Sequence, residues 1–460
     1  MGKTLLGASL FSGAGIGDMG FRAAGIVFVA MCEIEQDRNA LARTNFPETQ
    51  HFAEDINTAQ SAFCQAVTSG VAQRKGELFL ISCTAPCQGM SKSGQGTLLN
   101  NIRKGKRPQL DPRNRLILPA LRIICELQPQ WVVFENVPEM RNTVIEDDAG
   151  KLRLILDIID EALSPHYSGK AYDIEFADYG IAQRRQRLIT VYTRDDTAKE
   201  LFRKGIDMVP PPTHAKHPKG SMPKWISVVD ALKDFPPLDS ISAEKATSSM
   251  QFHRVPVLDP KKYEWIRHTP PGMSAFDNQC INPQCDCKDN PSHSTNRGDD
   301  GINRASKETP LYCAKCGALL PRPYTVEPDG SVRIMSGYTS AYKRMDSSLP
   351  APALTRNLSY PCSDQKVHPY QNRVLSLAEA MTLQTISSYD YKWGPVILMV
   401  GNRQVHKKVA PDGLIRLVIG ESVPPMFLQL LGEHIINMSK NVVSAPTSSR
   451  NRKPSQARMW

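Results

Sequence analysis

The sequence lacks any run approaching the ~20 unbroken apolar residues of a membrane-spanning helix, so no membrane partner is expected. It also lacks a secretory leader. Met1-Gly2-Lys3-Thr4 passes straight into a strand-like segment, with no apolar stretch ending in a small-residue cleavage site. A cytoplasmic protein is the expectation, and the short lead before Thr4 leaves no space for an N-terminal regulatory domain. In that compartment the 11 cysteines read as thiols, catalysts or metal ligands rather than disulfides. No internal repeat is present, which removes repeat architectures.

What is there suits a soluble chain of two domains: 460 residues, 41% apolar and 22% charged. The net charge of +10 fits a polyanionic partner, although charge alone does not identify one. From Thr4 to about Thr193, apolar runs alternate with stretches of helical spacing. Ser9 to Phe11, Ile26 to Cys32, Leu78 to Ser82, Trp131 to Phe134 and Leu188 to Tyr192 read as strands. Ile16 to Ala24, Glu35 to Asn45, Asn114 to Leu127 and Leu152 to Leu163 read as helices. This alternation predicts an α/β fold with a mostly parallel sheet, its ligand beyond the carboxyl ends of the strands. The texture changes at Val209-Pro210-Pro211-Pro212, after which sequence is polar, proline-rich and irregular to about Asp364. Helical patterning returns at Ser376 to Gln384 and Pro424 to Ile436. The organisation expected is a first catalytic part over 1–208, an irregular second domain over 209–364, a return over 365–440, and a basic disordered tail over 441–460.

Phe11-Ser12-Gly13-Ala14-Gly15-Ile16-Gly17 follows a strand and opens a helix, where glycines let a ligand approach the backbone. Glu33 ends the next strand, where a carboxylate can accept bonds from ribose hydroxyls. Asp55, in Ala53-Glu54-Asp55-Ile56, is suited to an adenine amino group. A glycine turn alone is only a tight turn, but followed by two acids it favours an adenosine-containing cofactor. These residues leave a dinucleotide and S-adenosylmethionine both open. Further on, Pro86-Cys87-Gln88 sets a thiol just past a strand, a position for an activated nucleophile, against the alternative that Cys83 and Cys87 are both buried small hydrophobes. Glu135 emerges at the same edge as a proton donor, and Gln183-Arg184-Arg185-Gln186-Arg187 concentrates fixed cations there. Ser91 to Gly96 and Arg103 to Arg107, rich in glycine and cations, suit a loop closing over a phosphate backbone.

In chain order these segments resemble the motifs of the cytosine-5 DNA methyltransferase family: the glycine loop, Pro86-Cys87-Gln88, Glu135-Asn136-Val137 and the Gln183 to Arg187 run. Arg373 to Gln384 resembles the helix that braces the recognition domain, and Gly420-Glu421-Ser422-Val423-Pro424-Pro425 the final motif. The likeness spares only roughly 210–350 and the tail. It departs at Thr84-Ala85, where Gly or Pro is usual; at Ile34, where an aromatic stacks on adenine; and at Glu421, where Asn is frequent. The resemblance implies a Rossmann-like S-adenosylmethionine-binding domain, with cofactor contacts at Phe11, Gly13, Gly15, Gly17, Glu33, Ile34, Asp55, Ile56 and Ser422. It implies that Cys87 adds to C6 of a flipped cytosine, that Glu135 hydrogen-bonds N3 and the exocyclic amine, and that Arg185 and Arg187 orient the base.

Within the second domain, the target-recognition region by resemblance, Cys313-Ala314-Lys315-Cys316-Gly317 has the spacing of a zinc knuckle. Upstream, Cys280, Cys285 and Cys287 offer three thiols for two places. C-x4-C is the better chelate, so Cys280 and Cys285 with Cys313 and Cys316 are the expected Zn²⁺ ligands, Cys287 the substitute and His293 a minor candidate. Arg297, Arg304 and Arg322 are candidates for reading groove edges. The alternatives are a tRNA cytosine-5 methyltransferase and a catalytically silent DNA-binding protein; the large recognition region argues against the first, and the intact Cys87, Glu135 and arginines against the second. The expected setting is a monomer in the cytoplasm, nucleoid-associated, acting on double-stranded DNA beside a cognate restriction or defence nuclease.

Overall fold

The computed structural model describes residues 3–86, 111–285, 287–292, 295–297, 303–305, 309–335, 340–363, 365–401 and 403–442, with backbone alone at 295–297 and 303–305. Cys87, the cationic loop segments at 91–96 and 103–107, His293 and most of the basic tail lie outside the described residues. Contacts divide the chain into two compact units. The first comprises Met1–Ile181, Arg185–Lys224 and Gln384–Trp460, the second Ala182–Arg184 and Trp225–Leu383.

The first unit is built on a seven-stranded sheet: β1 (Leu5–Leu10), β2 (Val27–Cys32), β3 (Gln50–Phe52), β4 (Glu77–Cys83), β5 (Trp131–Asn136), β6 (Ser168–Glu175) and β7 (Gln186–Thr193). Their order is β3-β2-β1-β4-β5-β7-β6. The first five run parallel, while β7 is antiparallel to both β5 and β6. The expected mostly parallel sheet is present. Two strands were not legible: Gln50-His51-Phe52 is too short and polar, and Ser168 to Glu175 is an edge strand whose residues are mainly half-exposed.

Helices α1 (Asp18–Ala23), α2 (Gln36–Asn45), α3 (Ile56–Gln73), α4 (Ile117–Leu127), α5 (Ile155–Leu163) and α6 (Asp196–Arg203) follow the strands. One apolar layer packs Ala59, Phe63 and Val67 of α3, Leu121 and Ile124 of α4 and Ile155 and Ile159 of α5 against Leu6, Ala8, Ile81, Val132 and Phe134. α4 stops where Gln128 adopts a left-handed conformation ahead of Pro129, a residue that cannot continue a helix. The later segment adds, after three helices of the second unit, α10 (Asp412–Glu421) and α11 (Pro425–Ser439). α11 lies against α1 so closely that a methyl group at Gly20 would stand 2.0 Å from the carbonyl oxygen of Pro425; only glycine permits the contact. No single helix among the described residues is long and apolar enough to cross a membrane.

The second unit is irregular, with short two-stranded pairs and helices α7 (Val228–Leu232), α8 (Pro260–Arg267) and α9 (Leu377–Leu383). Trp265, Ile266, Phe276, Tyr342 and Val367 form its core. With little regular structure, buried cations satisfy loop carbonyls: Arg344 donates to the carbonyls of Ile266, Thr269, His368 and Gln371 at 2.6–2.9 Å. α9 opens with a capping box, Ser376 Oγ accepting from Glu379 N–H (3.2 Å) and Glu379 Oε2 from Ser376 N–H (2.8 Å). The same carboxylate forms a buried bidentate pair with Arg373 at 2.6 and 2.7 Å. Arg322, a candidate for base reading, is fully buried and donates to the carbonyls of Asn278, Pro291 and Pro310; it is a structural residue.

Candidate active site

The sheet reverses direction of growth at β1: β2 and β3 extend one way, β4 and β5 the other. Ligands in such sheets bind at the carboxyl ends of the strands beside that switch. The chain leaving β1 turns sharply, with Phe11 held at φ 57° and Gly13 at φ 55°. Phe11 pays the strain of a left-handed non-glycine residue, whereas Gly13 adopts it freely. A side chain at Gly13 would meet nothing within 4 Å, which leaves open space over that backbone. Gly15 and Gly17 serve packing instead, facing Phe46 and Leu428 respectively.

Glu33, 8% exposed, sits at the end of β2. The Gly13 N–H donates to its Oε2 at 2.9 Å and the Glu35 N–H to its Oε1 at 2.8 Å. Burial nevertheless raises its pKa above the ordinary value, opposed by those two N–H groups and by Arg38. Each oxygen keeps a lone pair, the arrangement that two neighbouring ribose hydroxyls require. Ile34 beside it is 54% exposed, an apolar surface suited to the face of an adenine. Asp55 caps α3, its Oδ1 accepting from the Asn57 N–H at 2.8 Å, which leaves Oδ2 for a ligand amine. Ile56 is buried in the core. Ser422 ends α10 and accepts from Gln384 Nε2 at 2.9 Å. The donor set fits an adenosyl cofactor: carboxylate acceptors for ribose and adenine, an apolar face between them, and open backbone at the glycine turn.

The second half of the site begins where β4 ends. Cys83 pairs in register with Leu10 on one side and Phe134 on the other. The segment leaving β4 therefore emerges between the glycine turn and Glu135. Thr84 Oγ1 donates to the Phe11 carbonyl at 2.7 Å, and Asn136 Nδ2 to the Ala85 carbonyl at 3.1 Å, so both neighbours hold the approach to Pro86 and Cys87. Cys83 itself is fully buried, and burial pushes its thiol up to about 12, which removes it as a nucleophile at neutral pH.

Glu135 lies opposite Ile189 in the β5–β7 ladder, so Arg187 is its diagonal neighbour on the same face. The two form an ion pair, Arg187 Nε to Glu135 Oε1 at 2.8 Å, with side chains only 16% and 12% exposed. Arg187 holds one carboxylate oxygen and leaves Oε2 available. Arg185 is almost fully buried; its backbone N–H donates to Glu175 Oε1 at 2.7 Å and its Nη1 to the Gly420 carbonyl at 3.1 Å. Asp18 and Arg38 carry no signal in the sequence, and Thr84 and Gln384 enter it only as parts of motifs, without their contacts. Each acts through a contact across the fold, which no local pattern announces.

In the second unit, the sulfurs of Cys280, Cys285, Cys313 and Cys316 all lie within 4.8 Å of one another. The Cys280–Cys316 and Cys285–Cys313 separations are 3.7 and 3.8 Å. A tetrahedral ion with metal–sulfur bonds of about 2.3 Å spaces its sulfurs about 3.8 Å apart. Cys287 packs beside this group without joining it.

A central sheet of this order with an acid after its second strand fits the S-adenosylmethionine-dependent methyltransferase class. The family model for C-5 cytosine-specific DNA methylase matches residues 6–437, and the chain belongs to that family. It is 26% identical to the type II methyltransferase M1.HgaI of Avibacterium volantium over 446 residues, covering 95% of this chain and 99% of the relative. It is 30% identical to the type II methyltransferase M.AquIA of Picosynechococcus, covering 51% of this chain and 90% of that one. The fold resembles the crystal structure of a DNA modification methyltransferase encoded within an E. coli prophage, with a TM-score of 0.50, 20% identity and 95% of this chain covered.

Proposed function

We propose that this chain methylates carbon 5 of a cytosine within a specific duplex DNA sequence, through a covalent adduct on Cys87. The observation that carries the reading is the meeting of strand ends: the approach to Cys87 is held by Thr84 against the cofactor turn and by Asn136 beside the Glu135–Arg187 pair. S-adenosylmethionine, bound at Glu33, Ile34 and Asp55, supplies an electrophilic methyl group. The Cys87 thiolate adds to C6 of the flipped base, and the carboxyl of Glu135 hydrogen-bonds N3 and the exocyclic amine, stabilising the charge that develops. Arg187 keeps Glu135 in position, and Arg185 holds the base edge of the pocket. After C5 is methylated, loss of its proton and elimination from C6 release Cys87. Flipping the base costs a few kcal/mol, which the pocket must return.

The catalytic assignment thus rests on Cys87, Glu135, Arg185 and Arg187, and the domain assignment takes 209–364 as target recognition. A Zn²⁺ on Cys280, Cys285, Cys313 and Cys316 staples that irregular unit; the sulfur spacing supports it. Protection of DNA from a cognate restriction nuclease fits the type II relatives, and the chain is taken to act as a monomer. Bisulfite sequencing of DNA from cells producing the protein tests the reading. A single modified sequence context is expected, and its absence, in DNA also incubated with purified protein and S-adenosylmethionine, overturns it.

A further inference from the structure

Arg38, in the first turn of α2, reaches the final segment of the first unit at Glu421, while Thr44 and Asn45 at the other end of the helix bond to the carbonyls of Pro395 and Lys392. Its guanidinium meets Glu421 as a fork, Nε to Oε2 at 2.9 Å and Nη2 to Oε1 at 3.1 Å. A third nitrogen, Nη1, stands 3.5 Å from Glu35. Glu33 also acts on this cation, and the cation on Glu33, each favouring the other's charged form. Three carboxylates on two distant stretches of chain thus converge on one guanidinium that is only 17% exposed. Bidentate geometry on a half-buried arginine distinguishes this pair from ordinary surface ion pairs.

The placement gives the pair a task. Glu33 precedes α2, and Ser422, next to Glu421, is tied by Gln384 through both its hydroxyl and its carbonyl oxygen, at 2.9 and 2.7 Å. The Arg38–Glu421 fork therefore spans from the ribose acid to the last turn of α10. We infer that Arg38 and Glu421 form a clasp across the mouth of the cofactor site, fixing the Glu421–Ser422 corner against the Glu33 end and slowing cofactor escape. Both are positioning residues, and neither takes part in the chemistry. The clasp also accounts for an acid at 421: with Arg38 opposite, a third carboxylate beside Glu33 and Glu35 has a cation to answer it.

The inference rests on the cofactor site proposed above, and the experiment separates the two. Affinity for S-adenosylmethionine is measured by calorimetry on the full chain for wild type, R38E, E421R and the double reversal R38E/E421R. Each single reversal brings like charges together and is expected to weaken cofactor binding about fivefold or more, chiefly by faster dissociation. The double reversal rebuilds the pair and is expected to return to within about twofold of wild type. KM for the cofactor should follow this pattern while kcat and cofactor-free DNA affinity stay within twofold throughout, which a merely structural role would not produce. Single reversals that bind as wild type does, or a double reversal no better than the worse single, overturn the clasp alone. A wild-type chain that takes up no S-adenosylmethionine overturns the cofactor site itself.

Discussion

Asp18 opens α1 directly beneath the glycine turn, 4% exposed, with the Ser9 hydroxyl donating to its Oδ2 at 3.0 Å. Burial raises its pKa from 3.8 to about 7, opposed only by that hydrogen bond. The folded chain therefore binds a proton that the unfolded chain has already released between those values. A raised acid contributes stability that is fully present below the unfolded pKa and is lost as pH rises through the folded one. For this shift, the loss between pH 5 and pH 8 is on the order of 2–3 kcal/mol. Asp18→Asn is nearly isosteric, keeps an acceptor for Ser9 and does not titrate. Denaturant unfolding of the two proteins at both pH values should show the variant gaining on the order of 2–3 kcal/mol relative to wild type on going from pH 5 to pH 8. Every other titrating group cancels in that comparison. A difference that stays constant to within about 0.5 kcal/mol would refute the reasoning, since Asp18 would then titrate alike in both states.

DNA carrying 5-fluorocytosine at the target should trap the enzyme in an S-adenosylmethionine-dependent adduct that survives denaturing electrophoresis. The adduct should vanish in Cys87→Ala and persist in Cys83→Ala, because burial holds the Cys83 thiol near 12; the opposite pattern overturns the nucleophile assignment. Glu33→Ala should weaken cofactor binding by roughly 1.5–3 kcal/mol, the scale of hydrogen bonds to charged groups, and unchanged calorimetric affinity counts against it. Metal analysis of protein prepared without chelator should find about one zinc per chain, lost in Cys313→Ser and kept in Cys287→Ser. Zinc-free protein, or loss of the metal in Cys287→Ser, contradicts the ligand set.

The sequence displayed strand ends better than strand partners. Buried strands such as Trp131 to Phe134 are continuous apolar runs and stood out, whereas Gln50 to Phe52 carries one fully buried side chain and left no pattern. The eighteen-residue α3 was missed although Ile56, Ala59, Phe63 and Val67 fall at helical spacing, because serine, threonine and glycine dilute the stripe. Candidate site acids stand out where a strand ends in a carboxylate, as at Glu33 and Glu135. Their partners do not: Arg187 reaches Glu135 only through antiparallel pairing of β7, and Arg38 reaches Glu421 across 383 positions. The thiol cluster was legible from spacing, and the preference for Cys285 over Cys287 drawn from C-x4-C agrees with the four sulfurs that lie together.

The chemistry asks for three groups around adjacent atoms of one ring: a nucleophile at C6, a methyl donor at C5 and a hydrogen-bonding acid at N3. A parallel sheet meets that demand at few places, because the loops leaving neighbouring strands at one end are about 5 Å apart. Here β1, β4 and β5 are consecutive in the sheet, and Leu10, Cys83 and Phe134 lie side by side in register. The loop after β1 carries the cofactor turn, the segment after β4 leads to Cys87, and β5 delivers Glu135. Thr84 and the Ala85 carbonyl are fastened to the two neighbouring strands, so that strand spacing sets where the chain leaves β4 between the cofactor turn and Glu135. On this argument Asn136 contributes as much to the course of the chain after β4 as to its own strand. Replacing β7 by a parallel strand would remove the diagonal neighbour that steadies Glu135, which gives the single reversed strand a chemical reason to exist.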